Sequence, residues 1–154
     1  MSSRVDFRTG LIKDFIETNY PKYLEVFDVK KTPMTTCEFI DFDKFKNDFM
    51  LFIDFSNVNM NENQYEDDCI HTARILCDVY LVFRNAAVET LRKNMLDATS
   101  ALYELFNCER IDIAHNISID TIEFFNYVEG RNTLVSSKTP ISFDVGFTAG
   151  KNTK

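Results

Sequence analysis

The residue types best suited to nucleophilic or metal chemistry are few and widely spaced in this chain. No C-x-x-C pair occurs among its four cysteines, Cys37, Cys69, Cys77 and Cys108. Cys69 and His71 have the C-x-H spacing that would put two zinc ligands on one face of a strand. His115 would activate Cys77 or Cys108 only if folding brought them together. We interpret these residues as half-buried strand positions and reduced thiols that pack as small hydrophobic side chains.

Motifs for nucleotides, cofactors and hydrolytic chemistry are absent from the sequence. G-x-x-x-x-G-K-[ST], G-x-G-x-x-G, G-x-S-x-G and H-E-x-x-H do not occur, and the chain has only four glycines. The segment from Asn57 to Asp68 loosely resembles a calcium loop, but Glu62 stands where the sharp turn needs Gly, and Asp68 where a bidentate Glu belongs. The sequence therefore predicts no metal, no cofactor and no catalytic residue, and we do not expect an enzyme.

Charge and composition exclude further classes of function. The 154 residues carry a formal charge of −7, and the segment from Cys37 to Asp68 holds nine acidic residues against two basic ones, which equals the net charge of the whole chain. A chain this acidic has no basic stripe for nucleic acid. Lys13, Asp14 and Glu17 interrupt any signal peptide, so the N-terminus indicates a cytosolic protein. The most apolar run, Phe49 to Phe55, is too short for a membrane span.

In the first half of the chain, the hydrophobic pattern predicts one helix and one hairpin. An amphipathic helix follows Thr9 and should end at Pro21, and the segment from Tyr23 to Val29 favours a short strand. Alternation from Phe49 to Ser56 predicts a strand, residues 57–68 a long loop, and residues 73–83 the returning antiparallel strand.

The second half predicts a long helix and another hairpin. Asn85 is placed to cap a helix whose buried stripe is Val88, Leu91, Met95, Ala98, Leu102, Leu105 and Phe106. One strand is expected from Ile117 to Val128, a loop from Glu129 to Lys138, and a final strand from Ile141 to Phe147.

Together these elements predict a single α+β domain over residues 1–154. We expect an antiparallel sheet of about four strands in two hairpins, covered by one long helix, with the N-terminal amphipathic helix at its flank. The second face of the sheet is also expected to be apolar, through Met50, Phe52, Leu76, Tyr80, Val82, Ile122 and Phe124. One helix cannot cover two faces, so the second face should meet the first helix or another subunit.

This pattern resembles the tail terminator or minor tail proteins of long-tailed bacteriophages and prophages. The likeness covers about residues 8 to 148. It rests on the element order, the Asn-rich and acidic excursion in the first hairpin, the helix capped at Asn85 and the last strand, TPISFDVGF from Thr139 to Phe147. The resemblance implies a structural protein that forms a homo-oligomeric ring, usually a hexamer, on the tail tube. Such a ring stops tube polymerisation and joins the head. Its partners would be tail-tube and head-joining proteins, and its locations the virion tail and, during assembly, the host cytoplasm.

The acidic hairpin loop fits an interface with the tube, or the lining of a channel through which DNA slides. We therefore predict interface positions at Asn59, Met60, Asn61, Tyr65, Asp67 and Asp68. A solvated hairpin tip with no partner is the plain alternative. Two other functions remain open: a ligand-binding module or small enzyme whose dimer covers the second sheet face, and a cytosolic scaffold whose acidic segment binds a basic partner.

Overall fold

The computed structural model describes residues 9–36, 47–61, 70–84, 86–111, 114–129 and 132–148. This part of the chain forms an α+β fold, as predicted, with two helices and a six-stranded mixed sheet. The elements in chain order are α1 (Thr9–Val26), β1 (Met34–Thr36), β2 (Phe49–Asn61), β3 (Ile70–Arg84), α2 (Val88–Cys108), β4 (Ala114–Ile119), β5 (Glu123–Glu129) and β6 (Asn132–Thr148).

The sheet has more strands than the four expected, and it is not wholly antiparallel. Its strand order is β1-β2-β3-β6-β4, with β5 also paired to β6. The predicted hairpin of β2 and β3 is confirmed, with Phe49 opposite Phe83, whereas β1 runs parallel to β2. The 17-residue β6 pairs with β3 along one edge and with β4 and β5, end to end, along the other. The short β4 and β5 therefore form the outer edge beyond β6.

Both helices lie on the same side of the sheet. Their buried side chains join the inward-facing strand residues in one hydrophobic core. The Tyr20 hydroxyl donates a buried hydrogen bond of 2.6 Å to the carbonyl oxygen of Ala98, and the rings of Phe15 and Phe106 are 5.7 Å apart. Of the two alternatives for the second face, cover by α1 is therefore wrong, because α1 packs beside α2.

The long helix α2 matches its predicted stripe but not its predicted cap. Leu91, Met95, Ala98, Leu102, Leu105 and Phe106 are buried as predicted, whereas Val88, also predicted to be in the stripe, is only half-buried. Asn85 lies outside the described residues, and the N-cap position is Ala87, which has an extended backbone and no side-chain cap bond. Since a side-chain cap contributes only about 1 kcal/mol, the burial of six apolar side chains is sufficient to specify this helix without one.

Pro21 does not end α1, contrary to the prediction. The helix continues to Val26, and the strand expected from Tyr23 to Val29 does not form. Tyr20 and Leu24, on either side of the proline, are 1% and 0% exposed. Their burial offsets the lost backbone hydrogen bond, which costs about 3 kcal/mol in a helix interior. The chain leaves the helix at Asp28, whose φ is 61°.

The strand β2 is longer than predicted, because part of the expected loop pairs with β3. A register shift between Phe55 and Asn57 inserts one extra residue, after which pairing resumes and continues to Asn61 opposite Thr72. Such a β-bulge exchanges the side chains that face each side of the sheet. The expected loop thus loses residues 57–61 to the strand, and residues 62–68 lie outside the described part of the chain.

Two further predictions change at the outer edge of the sheet. The single strand predicted from Ile117 to Val128 is divided into β4 and β5. The loop predicted from Glu129 to Lys138 is largely strand, because β6 begins at Asn132. Ile119 pairs with Ile141, but Glu123 pairs with Lys138, so the outer edge has one residue more than β6 over this stretch. The extra residue changes which side chains of β5 face the helices.

Candidate functional site

The six predicted interface residues are only partly described by the structure. Asn59 is exposed on β2, opposite Arg74. The backbones of Met60 and Asn61 pair with Ala73 and Thr72, while their side chains lie outside the description. Tyr65, Asp67 and Asp68 lie wholly outside the described residues. The structure therefore places the described members of this set at the end of β2, and it does not test the other three positions.

The cysteines and histidines provide no described chemical site. Cys77 is buried in the core, and Cys108 is exposed at the end of α2. Desolvation, followed by a hydrogen bond to the Glu104 carboxylate, raises the pKa of the Cys108 thiol, which is the opposite of nucleophile activation. Cys69 and the side chains of His71 and His115 lie outside the description. Within the described ranges, no group of three or more His, Cys, Asp and Glu is arranged around a metal position.

The second face of the sheet is polar at its centre. Asp54 on β2 lies opposite Asp78 on β3, and Glu123 on β5 lies opposite Lys138 on β6. The Lys138 ammonium is 3.9 Å from the Asp78 carboxylate. Desolvation raises the pKa of Asp78 most, the charge of Lys138 opposes this rise, and those of Asp54 and Glu123 add to it. Two carboxylates thus face each other with one nearby lysine.

At the outer end of this face, a hydrogen-bond network links three strands. The Arg74 guanidinium donates to the Asp144 carboxylate at 2.9 Å and to the Ser142 hydroxyl at 2.9 Å. It also donates to the Ser118 hydroxyl on β4 at 3.2 Å. Asn116, whose φ of 54° belongs to the bulge in β4, donates from its side chain to Asp144 at 2.9 Å. The network joins β3, β6 and β4 through side chains in addition to their backbone pairing.

The apolar part of the second face does not form the exposed layer that the sequence predicts. Met50 and Val82 are each 1% exposed within the single chain. Phe52 and Tyr80 are half-buried and stacked, with ring centroids 5.9 Å apart. This face therefore does not need another subunit to remove Met50 and Val82 from water, which corrects the expectation on which a ring contact there depended.

Exposed apolar side chains gather instead on the helix side, between α2 and β5. Leu96 and Tyr103 on α2 are 56% and 44% exposed, and Phe124 on β5 is 49% exposed. We call this group, with Arg92, Ser100, Glu104 and Ile122 around it, the α2–β5 surface. The prediction had placed Phe124 and Ile122 on the second face, but the extra residue before β5 brings them alongside α2.

The α2–β5 surface is concave. Two adjoining depressions, of about 170 and 400 Å³, share Leu96 and Phe124 as walls. Arg92 lines the smaller depression and Glu104 the larger. On the floor of the larger, the Thr99 hydroxyl lies 3.1 Å from the Ser137 hydroxyl, so this buried polar pair is satisfied. The lining is suited to holding an apolar side chain rather than to acid or base catalysis.

Leu96 and Tyr103 were not predicted as site residues, because the hydrophobic pattern of α2 marks only its buried stripe. Each of them directly follows a stripe residue, Met95 and Leu102, and therefore lies on the flank of the helix. Arg92, Leu96, Ser100 and Glu104 share a four-residue spacing, which places them along one ridge. The sequence signal that could have identified this surface is the presence of large apolar residues directly beside the buried stripe.

Two comparisons with known proteins gave no relative: no protein-family model matches the chain, and no curated protein matches it in sequence. Within the described residues, neither helix has the length and apolar character needed to cross a membrane.

Proposed function

We propose that this protein is a structural tail assembly protein of a long-tailed phage or prophage. In this proposal its copies form a ring, usually of six, that caps the tail tube and stops its polymerisation. The proposal rests on the resemblance in element order and on one observation, the uncovered outer strand β5. Tail-tube and head-joining proteins are its proposed partners, and the virion tail and the host cytoplasm its proposed locations.

Strand β5 is exposed on both faces. Phe124 is 49% exposed on the helix side, and Phe125 is 44% exposed. In the part of the chain that the structure describes, β5 pairs with β6 alone, so no described strand lies along its other edge. An aromatic edge strand of this kind is an aggregation hazard unless another chain covers it.

A neighbouring copy is the cover that this proposal requires. When the edge of one copy meets a different surface of the next, the contacts repeat head to tail and close into a ring if the rotation permits. The central carboxylates, Asp54 and Asp78, add negative charge to the second face. Negative charge lining a channel would repel DNA phosphates and let the genome pass without binding.

Co-expression with the tail-tube protein encoded beside its gene tests the proposal. Wild-type protein should produce tubes of limited length with a ring at one end, measured by negative-stain electron microscopy. Phe125→Asp puts a charge on the exposed edge and should abolish the rings. Val26→Asp is the matched control, because Val26 is 77% exposed at the end of α1, on the helix side of the sheet, whereas Phe125 lies on the opposite face.

Tubes whose lengths do not respond to the wild-type protein would overturn the proposal. A genome in which no tail-tube or head-joining gene lies beside this one would do the same. Rings that Phe125→Asp leaves intact would retain the function and reject β5 as the contact.

A ligand-binding module is the second candidate, and the larger depression favours it. Phe27, Tyr103 and Phe124 surround it, and Thr99 and Ser100 bring hydroxyl groups to its lining. This mixture of aromatic and polar groups is typical of small-molecule sites. Native mass spectrometry of the purified protein would support this candidate if a dimer carried a bound small molecule, and reject it if the chain carried none.

A further inference from the structure

One ridge of α2 has opposite charges at its two ends. Arg92, Leu96, Ser100 and Glu104 follow one another at four-residue intervals along the flank that faces the α2–β5 surface. At 1.5 Å per residue, Arg92 and Glu104 are separated by about 18 Å along the helix axis. Between them lie one large apolar side chain and one small polar one.

The two end charges are available to another molecule. Arg92 is exposed and makes no ion pair with any residue in the described ranges. Among the described residues, Glu104 accepts one weak hydrogen bond, at 3.5 Å, from the exposed Cys108 thiol. The other charges on this part of the helix are already matched, since Lys93 pairs with Asp97 at 2.9 Å.

A ridge that is basic at one end and acidic at the other is complementary to itself when reversed. If a second copy of α2 lies antiparallel, with the two-fold axis level with Ala98, Arg92 faces Glu104 of the second copy and Leu96 faces its Ser100. Both charge pairs form at once, because a two-fold contact uses each residue pair twice. We propose that the α2–β5 surface binds a second copy of this chain in this antiparallel arrangement.

The shapes of the ridge and the depressions fit the same arrangement. Ser100 is small enough to let two helices approach closely, and residues spaced by four form the ridges that interlock in helix packing. Leu96 of one copy would enter the larger depression of the other, against Ser100, Tyr103 and Phe124. The contact would therefore cover the three most exposed apolar side chains of the surface, with a charge pair at each end.

The pair and the ring would compete for Phe124. In the proposed ring, a neighbour covers β5, and in the two-fold pair a second α2 covers the same strand from the helix side. The two-fold pair would thus be an inactive form of the subunit, which keeps it from joining a ring before a tube is present. This step, unlike the pairing itself, rests on the proposed function.

Sedimentation of the full chain over a concentration series tests the pairing. Wild type should change from the 17.9 kDa of one chain to twice that mass as its concentration rises. Leu96→Asp should remain a single chain throughout, and its melting temperature should be close to that of wild type at concentrations where wild type is also a single chain, because Leu96 is 56% exposed. Val58→Asp, the control at another exposed apolar residue, should pair as wild type does, because Val58 lies opposite Ile75 on β3, at the other end of the sheet from β5.

Charge reversal supplies the decisive test. Arg92→Glu and Glu104→Arg place like charges opposite each other, and each should weaken pairing by about tenfold or more. The double variant, Arg92→Glu with Glu104→Arg, restores both pairs and should recover the wild-type dissociation constant. A merely structural role for either residue would not produce recovery in the double variant.

The outcomes separate this inference from the proposed function. Wild type that stays a single chain at every concentration, or a double variant that stays as weak as the single variants, would overturn the pairing while leaving tube capping to be judged by microscopy. Closed rings in solution without tubes would overturn the inference that the pair is an inactive form of the subunit. Wild-type pairing with no effect on tubes would retain the two-fold contact and reject the tail function.

Discussion

The two ends of the sheet differ in what covers them. At the β2 end, Leu51 and Ile53 are fully buried beneath the helix layer. At the β5 end, Phe124 has α2 on one flank only and is about half exposed. Similar side chains thus meet two different environments. In the described part of the chain, two helices cover one face of the sheet but do not fully cover the apolar residues of β5. These exposed residues are the ones that contact with another molecule would bury.

The largest expected effect separates two leucines of the same helix. Leu102→Ala should lower the free energy of unfolding by about 2–5 kcal/mol, because Leu102 is 0% exposed and its removal leaves a cavity. Leu91→Ala belongs to the same class. Leu96→Ala should change stability by less than about 0.5 kcal/mol, measured by urea denaturation at a concentration where the chain is monomeric. Equal losses at Leu96 and Leu102 would show that the α2–β5 surface is part of the core.

A smaller effect should follow from loosening α1 on α2. Tyr20→Phe removes the buried hydroxyl that donates to Ala98, while the aromatic ring remains in the core. We expect a loss of about 1 kcal/mol, the usual net contribution of one such hydrogen bond. The helix content by circular dichroism should not change. A fall in helix content equivalent to the 18 residues of α1 would instead show that this hydrogen bond is required to keep the proline-containing helix folded.

The smallest effect concerns the facing carboxylates and depends on pH. Desolvation raises the pKa of Asp78 in the folded protein, so its protonated form stabilises the fold below the ordinary pKa of 3.8, and this contribution is lost as pH rises through the folded-state pKa. Asp78→Asn should therefore have a slightly higher melting temperature than wild type at pH 7, and the difference should vanish near pH 3. A lower melting temperature at pH 7 would mean that Lys138 stabilises the ionised carboxylate more than burial opposes it.

The sequence predicted best what depends on an uninterrupted period. Six of the seven predicted stripe residues of α2 are buried, and the hairpin of β2 and β3 formed around its predicted alternation, although both strands are longer than predicted. Pro21 shows the limit of local rules, since tertiary burial of Tyr20 and Leu24 carried the helix through it. The α+β class followed from the elements and not from their exact ends.

Most of the candidate site could not be predicted from the hydrophobic pattern of the sequence, for a physical reason. Alternation assigns faces correctly only while the register holds, and one added residue reverses every later assignment. This happens between Ile119 and Glu123, so Phe124 was assigned to the wrong face. Leu96 and Tyr103 lie on the flank of α2, and the exposure of this flank depends on the position of β5. The hydrophobic pattern of the helix carries no information about that position.

The single extra residue between β4 and β5 has a consequence for how this protein can vary. Deleting Thr121 would leave equal numbers of residues on the two strands between the Ile119–Ile141 pair and the Glu123–Lys138 pair, so both pairs would keep their register and Phe124 would stay opposite Ser137. The α2–β5 surface is therefore expected to persist when this bend is shortened by one residue. A relative of this chain with the shorter bend would carry Phe124 on the face that simple alternation from Ile119 predicts.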